Sequence, residues 1–141
     1  MAPVGSEESL AAAISAGADA VYFGIEGLNM RSRSSSNFTL DDMERIARQC
    51  SDAGVRTYLT VNTIIYDSDI EKMHAIVERA HAAGITAIIA TDIATIRYCQ
   101  KTGIPVHIST QANISNTEAV RFYAQWADVM VLARELNMEQ V

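Results

Sequence analysis

The sequence predicts an α/β fold of parallel (β/α) repeats, about six of the eight units of a TIM-like barrel, with an open doubly wound sheet as the alternative. Three observations predict it. Short apolar, β-branched runs alternate with amphipathic stretches at a spacing of about two dozen residues, the period of a strand-helix unit. Each amphipathic stretch closes on a small residue and Gly, as at Ala16-Gly17, Ala53-Gly54 and Ala83-Gly84, or on Ala127-Asp128, before the next apolar run. Polar residues end almost every apolar run, and no Gly-rich dinucleotide fingerprint follows the first, so the polar groups are spread around a rim instead of gathering at one switch point.

Taken in order, residues 1–4 are a first short strand closed by Gly5, and Ser6 offers an N-cap to a helix whose first turn carries Glu7 and Glu8. Residues 20–23 are apolar on both faces, as a parallel strand is. The second helix starts at a capping box of Thr39 and Asp42 with Phe38 and Met43 as its hydrophobic staple, and buries Ile46, Ala47 and Cys50. Residues 55–61 form the third strand. Ser68 to Glu71 is a further box, opening a helix with the apolar stripe Ile70, Met73, Ile76, Val77 and Ala80. Residues 85–90 are the fourth strand, followed by a helix over about 93–101 with Asp92 placed to cap it. Val106 begins the fifth strand, which runs into Ser109-Thr110-Gln111-Ala112-Asn113. Ser115 to Glu118 opens a fifth helix carrying Ala119, Phe122, Tyr123 and Trp126, and residues 129–132 are the sixth strand.

Leu136-Asn137-Met138-Glu139-Gln140-Val141 repeats the staple and box of a helix start, with Asn137 as cap. The expectation is therefore that residues 1–141 are the N-terminal part of a single (β/α) barrel domain, truncated at its C-terminal end. An intact barrel takes roughly 250 residues. A piece of one would leave its first and last strands unpaired, which invites homo-oligomers through the exposed edges.

Charge and cysteine content narrow the function classes. A net charge of −6 gives no general affinity for phosphate backbones, although a local basic patch is compatible with it. Two cysteines, Cys50 and Cys99, lie far apart in helical surroundings and form neither a disulfide framework nor a zinc spacing. The N-terminus lacks the charged and apolar regions of a signal peptide, and no apolar run has membrane-spanning length. The expected location is the cytoplasm, with no membrane partner.

Residues two apart on a strand share a face. His107, Ser109 and Gln111 therefore group together, as do Tyr58, Thr60 and Asn62, Ala90 and Asp92, and Leu132 and Arg134. Facing inward, they would line a polar well at the C-terminal mouth of the barrel, where active sites of such folds lie. Asn62, Gln111 and Asn113 cannot transfer protons at neutral pH but orient substrates well. Asp92, Arg134 and Glu135 complete the expected substrate-binding rim. Arg31 and Arg33, in a loop rich in Ser and followed by a helix N-terminus, suit a small anionic co-substrate; the plainer reading is an exposed loop. Asp92, Glu135 and His107 are of the types that bind a divalent metal, but no helix-borne spacing supports a metal site, and Asp92 has a capping role open to it. Ser109 and His107 stand about 7 Å apart if both lie on one strand, too far for a nucleophile-base pair. No catalytic residue is assigned. His74 and His81 fall on helix surfaces.

Six stretches, Ala2-Pro3-Val4-Gly5-Ser6, residues 16–24, Asn37-Phe38, Thr60-Val61-Asn62-Thr63, Ser109-Thr110-Gln111 and Val131-Leu132-Ala133-Arg134-Glu135, resemble the N-terminal part of the collagenase-like U32 peptidase family. The resemblance runs from end to end and implies a barrel. It also implies two functions. One is proteolysis, of collagen in particular, making the protein a hydrolase. The other is oxygen-independent hydroxylation of RNA bases or quinone precursors, with a four-cysteine iron-sulfur cluster in a region beyond the one covered here. On the second, the protein is an RNA-modification or hydroxylation enzyme whose residues 1–141 are inactive alone. The choice between an RNA and a peptide substrate stays open at the level of sequence.

Overall fold

A computed structural model of the chain describes residues 1–26, 28 and 38–141. Within them, strands and helices alternate as β1 (Ala2–Pro3), α1 (Glu7–Ser15), β2 (Ala20–Gly24), α2 (Asp42–Asp52), β3 (Arg56–Val61), α3 (Ile70–Ala82), β4 (Ala87–Ala90), α4 (Ile93–Thr102), β5 (Val106–Ile108), α5 (Thr117–Tyr123) and β6 (Val129–Met130). All neighbouring strands pair in parallel, and their spatial order is their sequence order from β1 to β6. A doubly wound sheet reverses its strand order at a switch point. This sheet does not reverse, so the winding is that of a barrel wall, with β1 and β6 as its edges.

Local chemistry sets the punctuation. At Gly54 the backbone enters the left-handed region, with φ 68°, where a Cβ would be strained. That conformation lets the Val55 amide donate to Cys50 O at 2.8 Å and the Gly54 amide to Ser51 O at 3.0 Å, closing α2 and sending Val55 straight into the core. Gly84 does the same for α3, with Ile85 donating to Ala80 O at 3.0 Å. At α1 the capping box is complete: Ser6 Oγ accepts from the Ser9 amide, and Ser9 Oγ from the Ser6 amide. Asn137 also caps as its sequence suggests, accepting from the amides of Glu139 and Gln140 at 3.0 and 3.1 Å.

Three helix starts differ from expectation. Thr39 does not cap α2; its amide and hydroxyl both donate to Asp42 Oδ2 at 2.8 Å, so only the return half of the box forms. Ser68 lies in a 3-10 turn, Asp67–Asp69, in which the Asp69 carboxylate reaches back to the Tyr66 amide at 3.2 Å. Ser115 yields to Asn116, whose extended backbone aims Oδ1 at the Ala119 amide, 3.0 Å away. In each case a short Asp or Asn near the start accepts from a backbone amide, while the Ser or Thr expected as cap does not. The last helix is also shorter than its pattern, ending at Tyr123 and leaving Phe122 48% exposed.

Alternation along the strands separates two faces. Val21, Phe23, Leu59, Val61, Ile88, Ala90, Val106 and Ile108 pack outward against Leu10, Met43, Ile46, Met73, Ile76, Val77, Ile96 and their neighbours on the helices. Ala20, Tyr58 and Ala87, with Tyr22 and Ile89 against them, form a smaller cluster on the inner face. Two expected inward pairs are corrected by this sorting. Ala90 is fully buried in the helix-side core and Leu132 packs against the same core, so neither Ala90 with Asp92 nor Leu132 with Arg134 lines the interior. The polar residues Asp92 and Arg134 lie beyond the strand ends, where the chain has turned, so they do not carry the phase of the strand. The inner positions are Ile89 and Thr91, and Val129 and Val131.

The Asp42 carboxylate links α2 to α1 through Arg45, which also pairs with Glu7. The Thr39 amide, the Arg45 guanidinium and the Thr39 hydroxyl, in that order, hold its pKa at about 2, against 3.8 for the ordinary group. A depressed pKa contributes stability that is present above the unfolded value and lost as pH falls through the folded one. Thermal unfolding of the wild type should therefore weaken between pH 4 and pH 2, and Asp42→Asn should remove part of that dependence. The group is near the surface, so the part removed should be below about 1 kcal/mol.

Candidate functional site

The inner face rises in layers toward the C-terminal ends of the strands. One layer is Gly24, Thr60, Ile89, His107 and Val129, neighbours in register across β2 to β6. The next layer holds Asn62, Thr91, Ser109 and Val131. The ladder carries past the strand ends to reach it, since Ser109 donates its amide to Ala90 O at 2.7 Å and Val131 donates to Ile108 O at 3.0 Å.

In this upper layer the side chains of β3 and β5 meet across β4. Asn62 Nδ2 donates to Ser109 Oγ at 3.5 Å, and Ser109 Oγ donates to Gln111 Oε1 at 3.2 Å. Ser109 is 4% exposed. Its hydroxyl thus joins two amide side chains and has no contact with His107, as the expected separation along the strand requires. Thr91, between them in strand order, buries its Oγ1 without a hydrogen-bond partner among the described residues. Thr91 is hidden in the sequence by the more polar Asp92 beside it; its signal is the two-residue alternation that puts it on the same face as Ile89.

Asp92 has a different task. Its Oδ1 accepts from the Ala94 amide at 2.8 Å, capping α4, and its Oδ2 accepts from the Ile65 amide at 3.3 Å. The carboxylate therefore ties the β4-α4 turn to the loop after β3. Gln111 sits in a 3-10 turn, Thr110–Ala112, that ends at Asn113 in the left-handed region with φ 51°, a conformation Asn tolerates better than most residues. Gln111 and Asn113 are both exposed. Arg134 and Glu135 are exposed just beyond the bridge between Ile114 and Leu132, which extends the β5-β6 contact at the mouth. Arg31 and Arg33 lie outside the described residues.

His107 is half-buried on the inner face, its ring 5.1 Å from that of Tyr58 and tilted by 39°. Burial pushes its pKa below the ordinary histidine value, while Asp128 pulls the other way. His81 is exposed, but His74 is not a free surface group: it stacks at 3.6 Å on Tyr98, whose hydroxyl bonds Glu78. Among the described residues no three His, Cys, Asp or Glu side chains gather as metal ligands. Asp92, Glu135 and His107 do not form such a group.

Both cysteines are fully buried in the helix-side core. Desolvation raises the Cys50 thiol and pushes Cys99 up to about 12. An iron-sulfur cluster is held by several thiolates gathered in one place, and among the described residues no such group forms around Cys50 or Cys99, so these two do not fit a cluster. Among the described residues no helix is long and apolar enough to cross a membrane.

The family model for peptidase family U32 matches residues 5–141. The chain belongs to peptidase family U32. Over all 141 residues this U32 chain is 63% identical to a protein of Porphyromonas gingivalis named collagenase, of which it covers 34%. It is 30% identical to the tRNA hydroxylation protein P1 of Bacillus subtilis, with 100% of this chain and 34% of that protein covered. The chain thus spans about a third of the length of these curated relatives. The solved structure of the U32 peptidase Mk0906 superposes with a TM-score of 0.75 at 12% identity, covering 93% of this chain and 56% of that one. At that identity the likeness is one of fold, and it agrees with the barrel-wall winding.

Proposed function

We propose that this U32 chain forms the substrate-holding wall of an enzyme that hydroxylates an RNA base or a quinone precursor without molecular oxygen. The observation that carries the reading is the character of the mouth. Asn62 and Gln111, backed by the buried hydroxyls of Thr91 and Ser109, offer amides, which recognise the edges of a planar, polar ring by paired donors and acceptors. Ser109, the serine nearest the imidazole in sequence, gives its hydroxyl to Gln111, and the thiols are buried and protonated, so no activated nucleophile stands in the described mouth. Arg31 and Arg33 are assigned to a small anionic co-substrate. Asn113, Arg134 and Glu135 would contact the substrate from the rim, and Asp92 would hold the loops in place. An iron-sulfur cluster, if the activity uses one, takes ligands other than Cys50 and Cys99. Similarity over the whole chain to a tRNA hydroxylation protein supports the assignment.

The second reading is a peptidase, favoured by the 63% identity to a protein named collagenase. Deleting the gene and analysing tRNA and rRNA nucleosides, with quinones in parallel, by mass spectrometry separates the two. One hydroxylated product should disappear, return with the wild-type gene, and fall at least about tenfold with Gln111→Ala, which removes a positioning contact. Unchanged nucleosides and quinones, together with cleavage of collagen or casein by the purified protein, would replace hydroxylation by proteolysis.

A further inference from the structure

We propose that His107 is the residue that moves a proton to and from the ligand in the barrel mouth, an assignment that rests on the mouth being the ligand site. Its position carries the argument. His107 lies on the inner face of β5, one layer below Ser109, with Ile89 of β4 on one side and Val129 of β6 on the other. Tyr58 of β3 flanks its ring, and Asp128, just before β6, is the carboxylate whose charge reaches it. The imidazole makes no hydrogen bond to any described residue. A half-buried ring on the inner face, its nitrogens not engaged by any described residue, keeps them available to solvent or to a ligand in the mouth.

Elimination points the same way. Thr60, Asn62, Thr91, Ser109 and Gln111 are neutral across the physiological range and cannot exchange a proton there. The Asp92 carboxylate is held by two backbone amides. Tyr22 and Tyr58 carry phenols, which serve here as hydrogen-bonding and packing groups. Among the described residues the imidazole is left as the group on this face suited to proton transfer near neutrality. Burial keeps it neutral, with a lone pair available. When a ligand O–H, N–H or C–H bond breaks, its electron pair stays on the ligand atom and the proton forms a new N–H bond on His107. Asp128 offsets the imidazolium charge until the proton is returned.

Two measurements on the whole protein test this. The histidine Cε1 resonances, with that of His107 identified by its loss in His107→Gln, should show His107 titrating in the folded protein at a midpoint below the ordinary value. The acid limb of the wild-type pH profile for kcat/KM should fall at the same midpoint. His107→Gln should lower kcat about 100-fold with KM within about threefold and lose that limb, and added imidazole should restore part of the activity of His107→Gly. A His107 resonance that holds one protonation state from pH 4 to 8, or a wild-type acid limb that does not coincide with it, overturns the proposal even where the variants fail to fold. The pH profile can be read on nucleoside, quinone or protein substrate, so loss of the hydroxylation reading leaves this test intact.

Discussion

Phe23→Ala is expected to lower the stability of the folded chain by about 3–5 kcal/mol. Phe23 is 1% exposed, pairs in register with Leu59 of β3, and meets Phe38 edge to face with centroids 5.8 Å apart. Truncation removes the largest side chain that β2 gives the helix-side core. It leaves a cavity, because Leu59 and Phe38 are held by their own strand and bridge and cannot collapse into it. It also removes the aromatic pair, worth about 0.5–1.5 kcal/mol within that total. Since domains are stable by only about 5–15 kcal/mol, the loss should bring the protein close to its unfolding threshold. Urea titration should show a lower midpoint at unchanged slope, with Phe23→Leu losing about 1–2 kcal/mol. A loss below about 1 kcal/mol for the alanine variant would mean that the helix-side core does not organise around this residue.

Asp92→Ala should have the second largest effect, about 2–5 kcal/mol, and should reach function through structure. The cap on α4 alone is worth about 0.5–2 kcal/mol, and the bond from a charged acceptor to the Ile65 amide adds about 1.5–3 kcal/mol when broken. Without it the loop after β3 is no longer tied to β4, and Asn62, at the base of that loop, loses its fixed relation to Ser109. Asp92→Asn keeps a carbonyl acceptor for one of the two amides and should lose about half as much. Hydrogen exchange at the Ile65 and Ala94 amides would test the cause directly. Both should exchange faster in the alanine variant, and unchanged protection at Ile65 would show that Asp92 does not hold the loop.

Much of this fold is legible in the sequence because the signals are local. A capping serine reaches an amide three residues on, and a left-handed glycine closes a helix through its own neighbours. The apolar period of α3 places Met73, Ile76, Val77 and Ala80 on one buried face without reference to anything else. Where the sequence misled, the signal was local but the outcome was not unique. At the start of α5 both Ser115 and Asn116 could cap, and backbone direction chose Asn116. At β4 the polar Asp92 suggested an inward phase, but its side chain belongs to the turn after the strand.

The sequence by itself determined the alternation of strands and helices, their pairing in a parallel sheet, and the gathering of polar residues where strands end. These follow from periodicity and capping, which act over a few residues. Tertiary structure decided which of those polar residues meet. Asn62 and Ser109 are 47 positions apart, and their contact across β4 depends on the register of two strand pairings. That register is set by how the outer face packs against the helices, since a slip of one residue would turn the whole inner row outward. The same packing gave Asp92 its second amide, left the hydroxyl of Thr91 without a partner among the described residues, and placed His107 on the inner face of the barrel wall.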